Sequence, residues 1–209
     1  MKLTSMEKSL LFNCIRQGGY FILSVLFVFL LHALSKSFGS DMFKEHGLIE
    51  NMQLILLAIT GGVFFVQSIV SPQYRPILYL FSSLCIFAFI RELDSFFDNI
   101  LPIISWKFCY LFPLIALVYI FKHLKNIKKP LISFCTSPAF YMMCTAMIIF
   151  IPIAQAIGNR AFISSVLPDA TDVILMRRFI EESGEILAYF LLFLSSLEFY
   201  ISLIYKYKK

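Results

Sequence analysis

Three short stretches of this chain concentrate ionisable side chains beside long apolar runs. The first runs from Glu45 to Gln53, the second from Arg91 to Asp98 and the third from Arg177 to Glu185. Arginine and carboxylates pair with one another, and a carboxylate left over can bind a cation or hold a proton. A charge at membrane depth costs about 2.5 to 3.5 kcal/mol on insertion scales, so such clusters indicate a functional site.

Helical spacing places these side chains on shared faces. Glu50 and Gln53 are three residues apart, and Arg91, Asp94 and Asp98 follow an i, i+3, i+7 pattern along one helix. The third stretch repeats spacings of three and four. We predict one polar network that joins the second, third and sixth helices. Its members are Glu50, Gln53, Arg91, Glu92, Asp94, Asp98, Arg178, Glu181, Glu182 and Glu185. The alternative is that these side chains are hydrated at the membrane surface, where they mark the ends of the helices and have no further role.

Membrane-spanning helices must position this network. Of the 209 residues, 59% are hydrophobic and only 15% are charged, and the mean hydropathy of +0.82 excludes an ordinary soluble domain. We predict an all-α integral membrane bundle that forms a single domain. Six apolar runs have lengths near the roughly 20 residues that cross a bilayer. The predicted spans cover about residues 18–34, 48–70, 76–90, 101–121, 140–157 and 185–205.

The N-terminus has the pattern of a surface helix. Thr4 and Glu7 have the spacing of a capping box. The apolar residues that follow share a face opposite Lys8 and Arg16, which predicts a short amphipathic helix on the membrane that leads into an uncleaved first span. Near the other end of the chain, Asp169 is predicted to cap the last helix, with Asp172 three residues further on.

The positive-inside rule orients the predicted bundle. Eleven of the 18 Lys and Arg residues fall on the side of the two termini and seven on the other, so both termini are predicted to be cytoplasmic in a bacterial inner membrane. Eleven of the 13 acidic residues lie on the outer side, together with the network. Trp106 is typical of the membrane interface on that side.

A basic loop is predicted on the inner side, and it also contains Cys135. Its lysines are Lys122, Lys125, Lys128 and Lys129. The positive-inside rule explains these lysines, and they also form a basic face for anionic lipid or an acidic cytosolic partner protein. Nothing in the pattern indicates direct binding of nucleic acid.

A metal site is an alternative use of the carboxylates. The ligands would be drawn from Glu50, Glu92 and Glu185 together with His32 or His46, which the predicted topology also places outside. No HExxH or other tight ligand motif occurs, so we predict no metal, no other cofactor and no catalytic residue.

Asp94 and Asp98 match half of the two-aspartate arrangement of phosphotransferases that act on CDP-alcohols, but the preceding Asp-Gly-x-x-Ala-Arg is missing. Glu198 stands alone within the last predicted span, about 20 Å by helical rise from Glu185. It is interpreted as a packing contact between helices or subunits.

The three charged stretches, Glu45-x-Gly-Leu-Ile-Glu50, Arg91-Glu92-x-Asp94 and Glu181-Glu182-x-x-Glu185, resemble a pattern of small uncharacterised bacterial polytopic inner-membrane proteins. In size and in its lack of a catalytic signature, the chain is also similar to the membrane subunit of Kiwa-type antiphage systems. That resemblance implies a sensor of infection at the envelope that works with a cytosolic effector.

The leading hypothesis is therefore a non-enzymatic, homo-oligomeric membrane sensor or signalling component in envelope stress or phage defence. Its outer Arg and carboxylate network would be a bistable element. The first alternative is a membrane-embedded, metal-dependent enzyme that acts on a lipid or envelope substrate. A weaker alternative is an ion or proton transporter in which Glu198 and the outer acids mark the two ends of a path.

Overall fold

The computed structural model describes residues 4–44, 46–100, 105–166 and 172–207. These residues form helices and turns with no strand, which confirms the predicted all-α bundle. The α-helices are α1 (Ser5–Phe38), α2 (Leu48–Val70), α3 (Arg75–Glu92), α4 (Asp94–Ile100), α5 (Leu111–Lys122), α6 (Leu124–Cys135), α7 (Pro138–Ile148), α8 (Arg160–Val166) and α9 (Val173–Tyr207). Short 3-10 helices cover Gly39–Phe43, Pro72–Tyr74 and Ser105–Tyr110, and a π-helix covers Ile149–Ile157.

Five of these segments are long and apolar enough to cross a membrane, or six if the bent pair of α5 and α6 forms one span. The chain is therefore a multi-pass membrane protein, as its composition predicts. It divides into two compact units, Met1–Met42 and Phe43–Lys209.

The N-terminal unit consists mainly of α1. Thr4 forms the predicted capping box, because its hydroxyl accepts a hydrogen bond from the Glu7 amide at 3.3 Å and its own amide donates to the Glu7 carboxylate at 2.7 Å. These bonds lower the pKa of the Glu7 carboxyl below its usual range. The helix continues without a break to Phe38, so the predicted amphipathic segment is the first part of α1 and not a separate element.

The second unit is built around α2 and α9. These two helices pack against each other, α3 packs on α2, and α7 and the π-helix pack on α9. A cluster of buried side chains closes the core at the end of the bundle where α2 ends and α3 begins. It contains Phe64, Tyr74, Leu78, Cys85, Phe134, Ala139, Phe199 and Leu203. The opposite end, where α2 and α9 begin, carries polar side chains.

Residues 105–122 cross the same depth of the bundle as α3. The rings of Phe87 and Tyr110 lie 5.0 Å apart and those of Tyr79 and Tyr119 lie 5.5 Å apart, so α5 runs antiparallel to α3. The 3-10 helix and α5 together are about 30 Å long by their helical rises, close to the thickness of a bilayer core. This length favours six spans over five.

The predicted basic loop is wrong, because residues 124–135 form α6. Its axis lies at 108° to that of the preceding helix segment. Phe134 anchors α6 in the core, and the Tyr74 hydroxyl lies 3.0 Å from the Ser133 hydroxyl. The helix was missed because its lysines interrupt the apolar pattern and it is too short to span a bilayer.

The π-helix brings Gln155 within hydrogen-bonding distance of Glu185 on α9. It contains Pro152, which has no amide hydrogen to donate and so disturbs the regular α-helical bonding. Gly184 of α9 packs directly on this segment. A Cβ atom at Gly184 would lie 2.8 Å from the Ala154 Cβ and 3.2 Å from its Cα, so only glycine permits this approach.

We predict that Gly184→Ala destabilises the protein by about 1 to 3 kcal/mol, because the added methyl group overpacks against the Ala154 backbone. The matched control is Gly62→Ala on α2, where a Cβ would meet nothing within 4 Å. The measurement is reversible unfolding in detergent micelles. Equal unfolding free energies for the two variants would contradict this packing.

Candidate functional site

A cavity of about 580 Å³ lies at the end of the bundle where α2 and α9 begin and α3 ends. We call it the carboxylate cavity. Seven carboxylates and three arginines line it, together with Phe43 and Trp106. The charged residues are Glu50, Arg91, Glu92, Asp94, Asp98, Arg177, Arg178, Glu181, Glu182 and Glu185. If all of them are ionised, the lining carries a net negative charge and favours a cationic group.

An arginine of α3 and a buried carboxylate of α9 form the central ion pair. The Arg91 Nη2 atom lies 3.0 Å from the Glu185 Oε1 and 2.9 Å from the Glu92 Oε1. The Glu185 side chain is 4% exposed and that of Arg91 is 30% exposed. One guanidinium nitrogen thus serves two carboxylates, and the Arg91 side chain retains a face toward the cavity.

Further hydrogen bonds hold these two carboxylates. The Gln155 amide of the π-helix donates to the same Glu185 oxygen that pairs with Arg91. The Tyr189 hydroxyl of α9 donates to Glu92 at 2.8 Å. The Arg91 guanidinium carbon also lies 5.5 Å from the centre of the Phe150 ring, within the range of a cation–π contact. The pair therefore connects α3, α9 and the π-helix.

Helix α2 contributes two polar residues next to this pair. Gln53, which is fully buried, donates from its amide to the Glu182 carboxylate of α9 at 2.9 Å. Glu50 accepts a hydrogen bond from the backbone amide of His46 at 2.6 Å, and the His46 ring lies 3.6 Å from the same carboxylate. The site is thus assembled from the ends of three helices that are far apart in the sequence.

The first turns of α9 are more exposed. The Asp172 carboxylate accepts a hydrogen bond from the Leu175 amide at 2.8 Å and so caps the helix. Asp169, the predicted cap, lies outside the described residues. One turn further on, Arg177 pairs with Glu181 at 3.0 Å, with 46% of the arginine side chain exposed. This pair is a surface interaction, unlike that of Arg91.

The structure brings the ten residues of the predicted network together. Nine of them line the carboxylate cavity, and the tenth, Gln53, is hydrogen-bonded to one of the nine. One part of the prediction is wrong: the stretch from Arg91 to Asp98 is not a single helix, because α3 ends at Glu92, Leu93 forms a turn and α4 begins at Asp94. Both ends of the stretch still line the cavity.

Two residues of the site were not predicted. Gln155 is an amide inside an apolar run, which is a signal of a buried polar contact in a membrane helix. Tyr189 lies four residues after Glu185 and so on the same helical face. Both signals are visible in the sequence but do not indicate the partner across the bundle.

The two histidines that the sequence suggests as metal ligands lie in different units of the chain. His46 lies beside Glu50, whereas His32 lies on α1 in the N-terminal unit. In the parts of the chain that the structure describes, no three His, Cys, Asp or Glu side chains are grouped so as to hold a metal ion.

No protein-family model, curated protein or solved structure matches this chain.

We predict that Arg91→Ala destabilises the folded protein by about 3 to 5 kcal/mol, because it leaves the Glu185 charge buried without its counter-ion. Replacing the exposed Arg177 by alanine serves as the matched control and should cost about 0 to 1 kcal/mol. Unfolding in detergent micelles measures both. The buried-pair interpretation is wrong if the two variants differ by less than the error of the measurement.

Proposed function

We propose that this protein is a non-enzymatic membrane sensor, and that a ligand in the carboxylate cavity triggers the signal by exchanging the partners of Arg91. The observation that carries the proposal is the sharing of one Arg91 nitrogen between Glu92 and Glu185 at the wall of the cavity. A cation in the cavity competes for these carboxylates, and an anion competes for the guanidinium. Either ligand weakens the same contact.

Weakening this contact changes the packing of three helices. Arg91 belongs to α3, Glu185 to α9, and Gln155 to the π-helix that closes on α9 at Gly184. Packed helices rearrange between discrete states and do not deform continuously, so a local exchange of partners can become a helix shift. The bistable element is therefore the ion pair of Arg91 together with the three segments that it connects.

The opposite end of the bundle has a basic surface to which the partner that receives the signal would bind. Lys122, Lys125, Lys128 and Lys129 are all exposed, at the end of α5 and along α6. The ring contacts between α3 and α5 place this end of α5 away from the carboxylate cavity. We propose that both termini and these lysines face the cytoplasm, where the lysines meet an acidic cytosolic partner or anionic lipid. Homo-oligomerisation and a role in envelope stress or phage defence belong to the same proposal.

The first test is genetic. The gene is expressed with its natural neighbouring genes in a bacterial host, and survival is measured under phage infection and under envelope stress. We predict that Glu185→Gln abolishes the protection that the wild-type protein gives, because the neutral amide no longer pairs with Arg91 as a charge. The level of protein in the membrane is measured alongside.

Asp172→Asn is the matched control, since Asp172 is exposed, is absent from the lining of the carboxylate cavity and caps α9, as asparagine also can. Full protection by Glu185→Gln would reduce the ion pair to a structural contact. A wild-type protein that protects under neither condition would rule out the roles in stress and defence.

A second candidate function, proton or ion transport, gains support from one face of α2. Gln53, Thr60 and Gln67 are fully or almost fully buried and seven residues apart. Among the described residues, each carries one buried side-chain oxygen without a hydrogen-bond partner. The Gln67 amide donates to the Ser196 carbonyl of α9 at 2.8 Å. Gln53 bonds to Glu182 and Gln67 bonds to Ser196, so Thr60 lies between these two levels, in the apolar gap that separates Glu185 from Glu198.

Successive members of this row are about 10 Å apart along the helix, so bound water has to bridge them if they form a path. The test is proton flux into liposomes that contain the purified protein. Thr60→Val should remove most of the flux, whereas Thr145→Val, at an exposed position on α7, should not. No flux above that of empty liposomes would exclude this function.

A further inference from the structure

A second cavity adjoins the carboxylate cavity and has the opposite character. It has a volume of about 350 Å³ and lies between α3 and α7, over α2 and α9. We call it the apolar cavity. Its lining includes Phe64, Phe81, Leu84, Ala88, Met147 and Leu192. The volume lies within the range of about 300 to 1,000 Å³ that is typical of sites for small organic ligands.

The apolar cavity opens toward the side of the bundle. Leu84 of α3 and Met147 of α7 line it, yet 44% and 41% of these residues are exposed. Both lie within candidate membrane spans, so the solvent at this opening is the acyl-chain region of a bilayer. Phe64, on the inner wall, is almost completely buried. A hydrocarbon chain can therefore enter from the bilayer and reach the core of the bundle.

Arg91 lines both cavities and marks the boundary between them. Tyr189 and Phe150, which contact Arg91 or its partner Glu92, line the apolar side. Within the described part of the chain, both ion pairs of Arg91 use the Nη2 atom. A guanidinium has five N–H donors, so the Nε and Nη1 atoms remain suited to a phosphate group.

The two cavities therefore present three chemical environments in order: an apolar cavity, an arginine, and a group of carboxylates. A phospholipid with an ammonium headgroup has the same order of acyl chain, phosphate and ammonium. Glu50, Asp94 and Asp98 lie on the far side of the boundary, where the ammonium group would be. Seven carboxylates against three arginines favour this cation and oppose a purely anionic head.

We propose that the two cavities together bind one phospholipid that carries a primary ammonium headgroup, of the phosphatidylethanolamine type. One acyl chain fills the apolar cavity, Arg91 binds the phosphate, and the carboxylates bind the ammonium. This inference rests on the proposed function, because the lipid is the ligand that exchanges the partners of Arg91. A primary ammonium donates three hydrogen bonds to carboxylates, whereas the quaternary ammonium of phosphatidylcholine donates none.

The test uses the full-length protein in phosphatidylcholine nanodiscs that contain increasing fractions of phosphatidylethanolamine. Trp106 is the only tryptophan of the chain and lines the carboxylate cavity, so its fluorescence reports on the headgroup. We expect a saturable change with phosphatidylethanolamine and none with phosphatidylglycerol. Native mass spectrometry of the released protein should show phosphatidylethanolamine enriched roughly tenfold or more over phosphatidylcholine, because a site built for hydrogen bonds rejects a ligand that lacks the donors.

Two variants separate the acyl chain from the headgroup. Ala88→Phe fills the apolar cavity and should abolish the enrichment. Ala58→Phe is the matched control, since Ala58 lies on a different groove between α2 and α3, and it should retain the enrichment. Water-soluble glycerophosphoethanolamine, in excess, should not reproduce the fluorescence change, because it has the headgroup without the chain.

Equal retention of the two lipids by the wild-type protein would overturn the inference, as would full enrichment in Ala88→Phe. The selectivity of the wild-type protein decides the matter even if a variant fails to fold. If Glu185→Gln cells lose protection but the wild-type protein retains the two lipids equally, the lipid inference is refuted and the proposed function stands. If the wild-type protein selectively retains phosphatidylethanolamine but Glu185→Gln cells keep full protection, the proposed function is refuted and the lipid site stands.

Discussion

A buried pair of opposite charges, Arg91 and Glu185, holds three segments of this bundle together. Glu185 lies almost completely inside a membrane bundle, where an unpaired carboxylate is strongly disfavoured. Arg91 supplies the counter-ion and Gln155 the second hydrogen bond. Because these three residues come from α3, α9 and the π-helix, satisfying one carboxylate fixes the relative positions of three segments. The carboxylate cavity lies on the exposed side of that pair.

Packing below the pair makes this geometry possible. The absence of a side chain at Gly184 lets α9 approach the π-helix closely enough for Gln155 to reach Glu185. The same approach leaves α3 and α7 on either side of an apolar cavity that ends at Arg91. The polar and apolar halves of the site are thus consequences of one arrangement. A ligand that occupied both halves would contact the ion pair directly, and we propose that recognition is coupled to helix packing in this way.

Periodicity and composition were sufficient to predict the membrane bundle and to group the side chains that surround the cavity. Glu181 and Glu185 had to share a face of any helix that contained them, and the cost of burying charge pointed to the same residues. Contacts across the bundle were not predictable in this way. The donation from Gln155 depends on a π-helix around Pro152, and the end of α3 at Glu92 has no strong sequence signal. Neither the depth of a residue nor its partner on another helix follows from helical spacing alone.

We propose that occupation of the carboxylate cavity changes the packing of α3 and α4 against α9. The most direct measurement is the distance between nitroxide labels at Phe96 on α4 and Met176 on α9, both exposed positions, in a variant without native cysteines. Pulsed electron resonance records the distance distribution in nanodiscs with and without phosphatidylethanolamine. This coupling requires two populations whose ratio changes with the lipid in the wild-type background and does not change in Glu185→Gln. A single distribution that is the same under all four conditions would contradict it.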